Sequence, residues 1–218
     1  MRVDIWSDVI CPWCYLGKRR FETALGAFEH ASEVEVRWRS FELDPHAPPV
    51  RDGDQAARLA SKYGLSVEQA RAAQDRLTAL AAAEGLHYRL DRTRPGNTFD
   101  AHRLIHLAAS RGCQDQVKER LLAAYLCEGQ PIGDPAVLLA EATSAGLDPV
   151  EAKGLLEGDG YASEVRADET EARERQITGV PFFLIEDSFG IPGAQDSDTM
   201  LTILRRAWSR RESMDQAR

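Results

Sequence analysis

Two cysteines with two residues between them, Cys11 and Cys14, are the residues best suited to chemistry in this sequence. This spacing brings two thiols within disulfide reach when the second cysteine lies in the first turn of a helix. The same spacing supplies half of a structural zinc site, which needs four nitrogen or sulfur ligands. Because Cys113 and Cys127 show no ligand-pair spacing, we expect redox chemistry, no metal and no cofactor. A pair of unreactive core cysteines is the remaining alternative.

The position of the pair favours the redox interpretation. Residues 2–6 alternate as a short strand, and an apolar helical period runs over residues 14–28, so Cys11 falls at the junction. Backbone N–H groups and the dipole at a helix start favour negative charge, and the thiolate is the negative form of cysteine. We therefore expect the pKa of Cys11 to lie below that of a free cysteine.

The residues inside the motif have separate expected roles. Pro12 suits the first helical position, where it has no N–H to lose and its backbone angle is preset. Trp13 is expected to be partly exposed beside the sulfur, where it either forms a docking surface or packs against the helix start. In the reaction, Cys11 attacks a substrate disulfide and Cys14 then attacks Cys11 to release the reduced substrate; the reverse direction oxidises a dithiol.

The elements around the motif predict an α/β framework. After the first strand and helix, residues 33–43 alternate again, and a strand, a helix and a strand with short connections imply a parallel pair. Residues 182–185 form a continuous apolar run, as expected of a strand buried on both faces. Residues 189–191 predict a short partner strand, and residues 196–211 predict a final helix.

A long helical region separates the two parts of this framework. Residues 44–53 contain three prolines and a glycine, which excludes a regular element and indicates a linker. Residues 54–178 carry helix signals and no strand signal. We therefore predict an all-helical insertion domain. The predicted boundaries are 49–178 for this insertion, and 1–48 with 179–218 for the α/β domain.

Composition limits the class of protein. Of the 218 residues, 43% are hydrophobic, which is sufficient for a packed core. The formal net charge of −8 argues against a nucleic-acid partner, because phosphates bind clustered Lys and Arg. No apolar run approaches the ~20 residues of a membrane span, and the first residues lack the features of a secretion signal. We therefore expect a cytoplasmic protein without a membrane partner, and the oligomeric state is open.

Five segments together form a combination that is specific to one protein family. They are Ser7-Asp8, Cys11-Pro12-Trp13-Cys14-Tyr15-Leu16-Gly17, Phe41-Glu42-Leu43-Asp44-Pro45, Asn97-Thr98-Phe99-Asp100-Ala101-His102 and Gly179-Val180-Pro181-Phe182-Phe183. Over nearly its whole length the chain resembles the FrnE-like branch of the DsbA family. The resemblance implies a thioredoxin-like fold split by a helical domain, activity toward protein disulfides and, for some members, an association with polyketide biosynthesis. Small-molecule disulfides or dithiols, and glutathione, are further expected partners.

The resemblance also supplies the second half of the expected site. It implies that Pro181 is cis and faces Cys11, which leaves the backbone of Val180 free to pair with an extended substrate. The alternative is an ordinary trans proline at the start of a strand. The expected catalytic residues are therefore Cys11, Cys14 and Pro181. The expected substrate-binding residues beside them are Pro12, Trp13 and Val180.

Three residues of the insertion complete the predicted substrate surface. In the resembling fold their segment faces the cleft, so Asn97, Phe99 and His102 are expected to line it. Capping of a helix by Asn97 or Thr98, with burial of Phe99, is the alternative. His106 follows His102 at a spacing that suits two metal ligands on one helix face, but no third ligand is evident.

Two other functions stay open. A glutathione-dependent isomerase of the 2-hydroxychromene-2-carboxylate kind resembles this fold, although such enzymes typically have a serine where this chain has Cys11. A chaperone-like binding protein, with a cleft between the two domains and the cysteines as a redox switch, is the second. The motif has Pro-Trp where periplasmic DsbA has Pro-His, which leaves the reduction potential open.

Overall fold

The computed structural model describes residues 1–51 and 53–216, with side chains up to residue 214. Asp52, in the predicted linker, and residues 217–218, at the predicted end of the α/β domain, lie outside the described residues. The strands are β1 (Arg2–Ser7), β2 (Glu35–Ser40), β3 (Phe182–Ile185) and β4 (Phe189–Pro192). The helices are α1 (Pro12–Gly26), α2 (Gln55–Tyr63), α3 (Val67–Ala83), α4 (Phe99–Ser110), α5 (Gln114–Leu126), α6 (Pro135–Ser144), α7 (Pro149–Glu157), α8 (Ala162–Glu174) and α9 (Ser197–Gln216). Across the described ranges, no helix combines the length and the hydropathy that a bilayer crossing requires.

The four strands form one mixed sheet in the order β2-β1-β3-β4. β1 pairs with β2 in parallel and with β3 antiparallel, and β3 pairs with β4 antiparallel. Ile5 of β1 lies opposite Trp38 on one side and Phe183 on the other. The predicted α/β class and parallel pair are therefore confirmed, and β1 is the inner strand that leads into the cysteine motif.

Helix α1 covers one face of the sheet together with α9. The Phe21 ring of α1 packs against Phe183 of β3 with centroids 5.4 Å apart, and Phe28 meets Trp208 of α9 edge to face at 5.9 Å. The helix begins at Pro12, two residues before the start of the apolar period, because proline is well suited to the first helical position. Strand β2 is shorter than the alternating pattern predicts, since pairing with β1 ends at Ser40.

The insertion between β2 and β3 is helical throughout its described elements, α2 to α8. Helices α2 and α3 enclose a small apolar cluster of their own. By contrast, Leu104, Leu121 and Leu122 of α4 and α5 belong to the same buried cluster as Ile5 and Leu16. The predicted helical insertion is confirmed, and its helix α5 packs directly against α1 and β2.

Candidate active site

The two cysteines lie at the start of α1. Cys11 is the N-cap residue with extended backbone angles (φ −88°, ψ 112°), and Pro12 occupies the first turn. The N–H of Cys14 donates to the carbonyl oxygen of Cys11 at 3.0 Å, which closes this turn. Both thiols are free, and Cys11 is 5% exposed against 1% for Cys14, whereas Trp13 between them is 44% exposed. Cys11 is therefore the more accessible sulfur, and an exposed indole lies beside it.

The loop before β3 faces this motif. The Val180–Pro181 peptide bond is cis. The Cys11 thiol donates to the carbonyl oxygen of Val180, with Sγ and O 3.6 Å apart. The fold thus brings Cys11 next to Val180 and Pro181, which lie about 170 positions later in the chain.

Gly17 allows α1 to approach this loop closely. A Cβ atom at this position would lie 2.9 Å from Cγ of Pro181 and 3.4 Å from the ring of Phe183, and the first distance is shorter than nonbonded carbons accept. At Gly26, in the same helix, a Cβ atom would meet nothing within 4 Å. The missing side chain of Gly17 therefore sets the distance between the helix and Pro181.

The two thiols titrate as a pair. The hydrogen bond with Cys14 and burial raise the pKa of Cys11 well above its ordinary value. Burial also opposes ionisation of Cys14, but the hydrogen bond from Cys11 and the charge of Lys118 lower the pKa of Cys14. The expected lowering of the Cys11 pKa is thus wrong for the resting dithiol, because burial and the neighbouring Cys14 thiol outweigh the effect of the helix start. Because the two thiols interact, their protons are lost in two coupled steps that belong to the pair.

Lys118 is a charged residue behind the cysteine motif that the sequence analysis did not single out. This lysine of α5 is 1% exposed, and its Nζ donates to the carbonyl oxygen of Ser7 at 3.3 Å. Burial lowers the pKa of Lys118 to about 8, although Cys14 and Asp8 oppose the change. One signal could have found it: Lys118 stands three residues before Leu121, on the apolar face of a helix.

The segment between α3 and α4 holds the motif from the insertion side. The hydroxyl of Tyr88 donates to the carbonyl oxygen of Pro12 at 2.7 Å. The Tyr88 ring stacks on Tyr15 of α1 at 6.1 Å between centroids, and the Tyr15 hydroxyl donates to Glu119 of α5. The helical insertion therefore contacts the first turn of α1 directly.

The three predicted surface residues of the insertion differ in their placement. Asn97 is half-buried, and its Oδ1 accepts the N–H of Phe99 at 2.9 Å, as in helix capping. Phe99 is half-buried under the guanidinium of Arg166, 4.3 Å from the ring centroid. His102 is 1% exposed, and its Nε2 lies 3.3 Å from Oδ1 of Asp8. The substrate-contacting role predicted for His102 is therefore wrong, because its ring is enclosed between α4 and the loop after β1.

A carboxyl group with a shifted pKa, that of Glu42, lies just after the end of β2 and contacts α8. The side chain of Glu42 is fully buried, and its Oε2 accepts a hydrogen bond from Arg166 at 2.6 Å. Arg166 also donates to Glu169 at 2.7 Å. Burial raises the pKa of Glu42 to about 7, with Arg166 opposing the rise and Glu169 adding to it. Glu42 is therefore partly protonated near neutral pH.

Ser40, His106 and Asp168 show the residue types of a hydrolytic triad but not its geometry. Nε2 of His106 lies 3.2 Å from Ser40 Oγ and 3.0 Å from Asp168 Oδ2, whereas a triad uses opposite ring nitrogens for its two partners. Ser40 is buried, and its N–H donates to Asp168 at 2.8 Å. The cluster joins β2 to α4 and α8. In the described part of the chain, no three His, Cys, Asp or Glu side chains converge as a metal site.

Comparison with known proteins identifies relatives of the whole chain. Residues 2–205 match the family described as DSBA-like thioredoxin domain. The crystal structure of a probable DsbA oxidoreductase from Streptomyces coelicolor is 45% identical, with a TM-score of 0.92, and the match covers 96% of this chain and 90% of that one. The uncharacterized protein YwbO of Bacillus subtilis is 30% identical over 200 residues, which are 91% of this chain and 92% of YwbO.

Two more distant structures share the fold. A 2-hydroxychromene-2-carboxylate isomerase is 17% identical with a TM-score of 0.67, over 99% of both chains. The cytosolic disulfide reductase DsbM from Pseudomonas aeruginosa, in a structure with glutathione, is 16% identical with a TM-score of 0.65, over 96% of this chain and all of DsbM. At these identities the similarity establishes the thioredoxin-like fold with a helix-rich insertion and nothing about activity.

Proposed function

The chain belongs to the DsbA-like family of thiol–disulfide oxidoreductases, and we propose that it exchanges the disulfides of protein substrates through Cys11 and Cys14. The observation that carries the proposal is the convergence of three features at one point. The Cys11 thiol lies 3.6 Å from the carbonyl oxygen of Val180, the Val180–Pro181 peptide bond is cis, and the N–H of Cys14 donates to the carbonyl oxygen of Cys11 in the same turn.

The reaction begins when Cys11, the more accessible sulfur, meets a substrate disulfide. Cys11 gives up its thiol proton, and the Cys11 thiolate attacks one substrate sulfur while the other leaves as a thiolate. In the second step, Cys14 gives up its proton, attacks Cys11 and forms the intramolecular disulfide. The bond between Cys11 and the substrate breaks, and the substrate leaves as a dithiol once its thiolates are protonated. The reverse sequence oxidises a substrate dithiol.

We propose that the substrate chain lies between Trp13 and the loop before β3. Trp13 offers an exposed apolar face beside Cys11, and the backbone of Val180 is available for hydrogen bonds with an extended segment. Pro12 is proposed to form part of the same substrate-binding surface. Asn97 and Phe99 are candidates for its border on the insertion side, since both are half-buried.

The branch of the family, the small-molecule partner and the cellular location are also part of the proposal. The combined motifs of the sequence favour the FrnE-like branch, and with it an association with polyketide biosynthesis. Glutathione is the proposed small-molecule thiol partner, and the proposed location is the cytoplasm. Both proposals are supported by the distant relative DsbM, a cytosolic disulfide reductase with a structure that contains glutathione. The cysteine at position 11 argues against the isomerase alternative, because such isomerases typically have a serine at the corresponding position.

Reduction of insulin by glutathione or dithiothreitol, with the wild type and single serine variants, tests this function. Cys11→Ser is expected to abolish the stimulated rate, and Cys14→Ser to accumulate a mixed disulfide on Cys11 that peptide mass spectrometry detects. The double variant Cys113→Ser, Cys127→Ser is the matched control and is expected to retain activity. Wild-type activity that persists after Cys11→Ser would refute the proposal. Glutathione-stimulated isomerisation that survives loss of Cys14 would instead support the isomerase alternative.

A further inference from the structure

Strand β2 forms one edge of the sheet, with β1 as its strand neighbour among the described residues. At its start, the N–H of Glu35 donates to the carbonyl oxygen of Met1 at 2.9 Å, so the backbone of Glu35 points toward β1. Because successive residues of a strand point their backbone groups to opposite sides, those of Val36, Trp38 and Ser40 point away from β1. Outward groups of this kind can pair with an extended polypeptide of almost any sequence.

Two side chains of the helical insertion occupy outward positions of β2. Gln114, the first residue of α5, binds both backbone groups of Trp38. The N–H of Trp38 donates to Oε1 of Gln114 at 3.1 Å, and Nε2 of Gln114 donates to the carbonyl oxygen of Trp38 at 3.0 Å. This exchange of two hydrogen bonds is the pattern of a hydrogen-bonded pair between antiparallel strands. Further along, the N–H of Ser40 donates to Asp168 of α8 at 2.8 Å.

The space beside this edge can hold a segment of polypeptide. A groove of about 580 Å³ lies along β2, with residues 35–39 on one side and residues 114–116 of α5 on the other. Val36, an outward position of the strand, lines the same groove. Without the side-chain amide of Gln114, the backbone groups of Trp38 would therefore face an open groove next to Val36.

We propose that Gln114 is an edge-blocking residue, whose side-chain amide takes the place of a neighbouring strand and prevents an extended polypeptide from pairing with β2. The excluded occupant is an extended segment of an unfolded polypeptide, the form in which a protein substrate presents its cysteines. The inference rests on the proposed function and deepens it, because it confines strand pairing with the substrate to the loop before β3. Since β2 and β3 lie on opposite sides of β1, a segment on the outer edge of β2 would be three strand spacings of about 4.8 Å away from β3.

Gln114→Ala tests the proposal, with Gln116→Ala as the matched control. Both residues lie in the first turn of α5 and line the groove, but of the two it is Gln114 that bonds to β2. Alanine is compatible with the helix at both positions. The probe is a fluorescently labelled, S-carboxymethylated insulin B chain, whose blocked cysteines cannot exchange disulfides. Its binding is measured by fluorescence anisotropy, and the β2 amides are followed by hydrogen exchange with NMR detection.

The expected changes are confined to the Gln114 variant. In free Gln114→Ala, the Trp38 amide should exchange about tenfold faster than in the wild type, and the probe should bind about tenfold more tightly, because two hydrogen-bonding groups become available. Bound probe should slow exchange at Val36 and Trp38. Gln116→Ala should match the wild type in all three measurements. Dimerisation of Gln114→Ala with the same amides protected would also support the blocking role, with a second copy of the chain as the occupant.

Two results would overturn the proposal. The first is a Gln114→Ala protein that binds the probe no more tightly than the wild type and stays in the same oligomeric state, even if its Trp38 amide exchanges faster. The second needs only the wild type: probe that already protects the β2 amides there would show that the edge is open. If the variant behaves as expected while wild-type insulin reduction is absent, the proposed function fails and the blocking role of Gln114 stands.

Discussion

Replacing Gly17 by alanine should separate α1 from the loop that carries Pro181. The added methyl group would lie 2.9 Å from Cγ of Pro181, on a rigid ring that cannot rotate away. Relief requires a movement of about half an ångström, because nonbonded carbons settle near 3.5–4.0 Å. The same loop presents the Val180 carbonyl oxygen to Cys11, so the movement changes the geometry at the reacting sulfur.

The expected magnitude follows from two opposing effects. Overpacking a well-filled site costs about 1–3 kcal/mol, whereas glycine to alanine inside a helix gains about 1 kcal/mol. The net loss in free energy of unfolding for Gly17→Ala should therefore be about 0–2 kcal/mol. Activity should suffer more, because an error of about 1 Å in positioning costs up to ~100-fold. We expect a fall of about 3- to 30-fold in kcat/KM for insulin reduction.

Gly26→Ala provides the control for this prediction. It adds the same methyl group to the same helix, but in space where no atom lies within 4 Å. Unfolding in urea and insulin reduction are measured for both variants. Gly26→Ala should keep wild-type activity and gain up to ~1 kcal/mol in stability. If Gly17→Ala behaves like Gly26→Ala in both measurements, the close approach of α1 to Pro181 has no functional weight and the reasoning is refuted.

Three further changes test other parts of the site. Tyr88→Phe removes the hydrogen bond to Pro12 and should lower the free energy of unfolding by about 1 kcal/mol in urea titration; an unchanged midpoint would contradict a holding role. Glu42, whose pKa is raised by burial to about 7 from an ordinary 4.5, stabilises the fold below pH 4.5 and loses that contribution as pH rises through 7. The loss is up to about 3 kcal/mol, and it should be absent in Glu42→Gln; parallel stability curves would refute it. Trp13→Ala should raise KM for insulin while the alkylation rate of Cys11 stays within about twofold, and an unchanged KM would exclude Trp13 from docking.

Much of the fold was predictable because local patterns specify it. The alternation that leads into β2, the apolar run of β3 and the start of α1 at Pro12 each follow from residue type and spacing. Cys11 and Cys14 were found for the same reason, since their chemistry depends on a four-residue motif. The domain boundaries at 48–49 and 178–179 stay a prediction, because α4 and α5 share one buried cluster with the sheet.

The remaining features depend on contacts between distant segments. Lys118 looks like an ordinary helix position until α5 is packed against α1, and His102 looks exposed until it meets Asp8. The prediction that the pKa of Cys11 is lowered was wrong for the same reason. The helix start acts on Cys11 locally, but burial and the neighbouring Cys14 thiol raise its pKa in the folded chain. Such couplings arise only when the chain is folded.

The reversible interconversion of the Cys11–Cys14 pair between dithiol and disulfide is the claim on which the account depends. The direct measurement equilibrates the protein in glutathione buffers of graded potential, alkylates the free thiols and quantifies the Cys11–Cys14 peptide by mass spectrometry. The account predicts a two-electron transition with one midpoint, in which this disulfide forms and Cys113 and Cys127 stay alkylated. A pair that remains fully reduced in every buffer, or that accumulates only glutathione adducts, would contradict it.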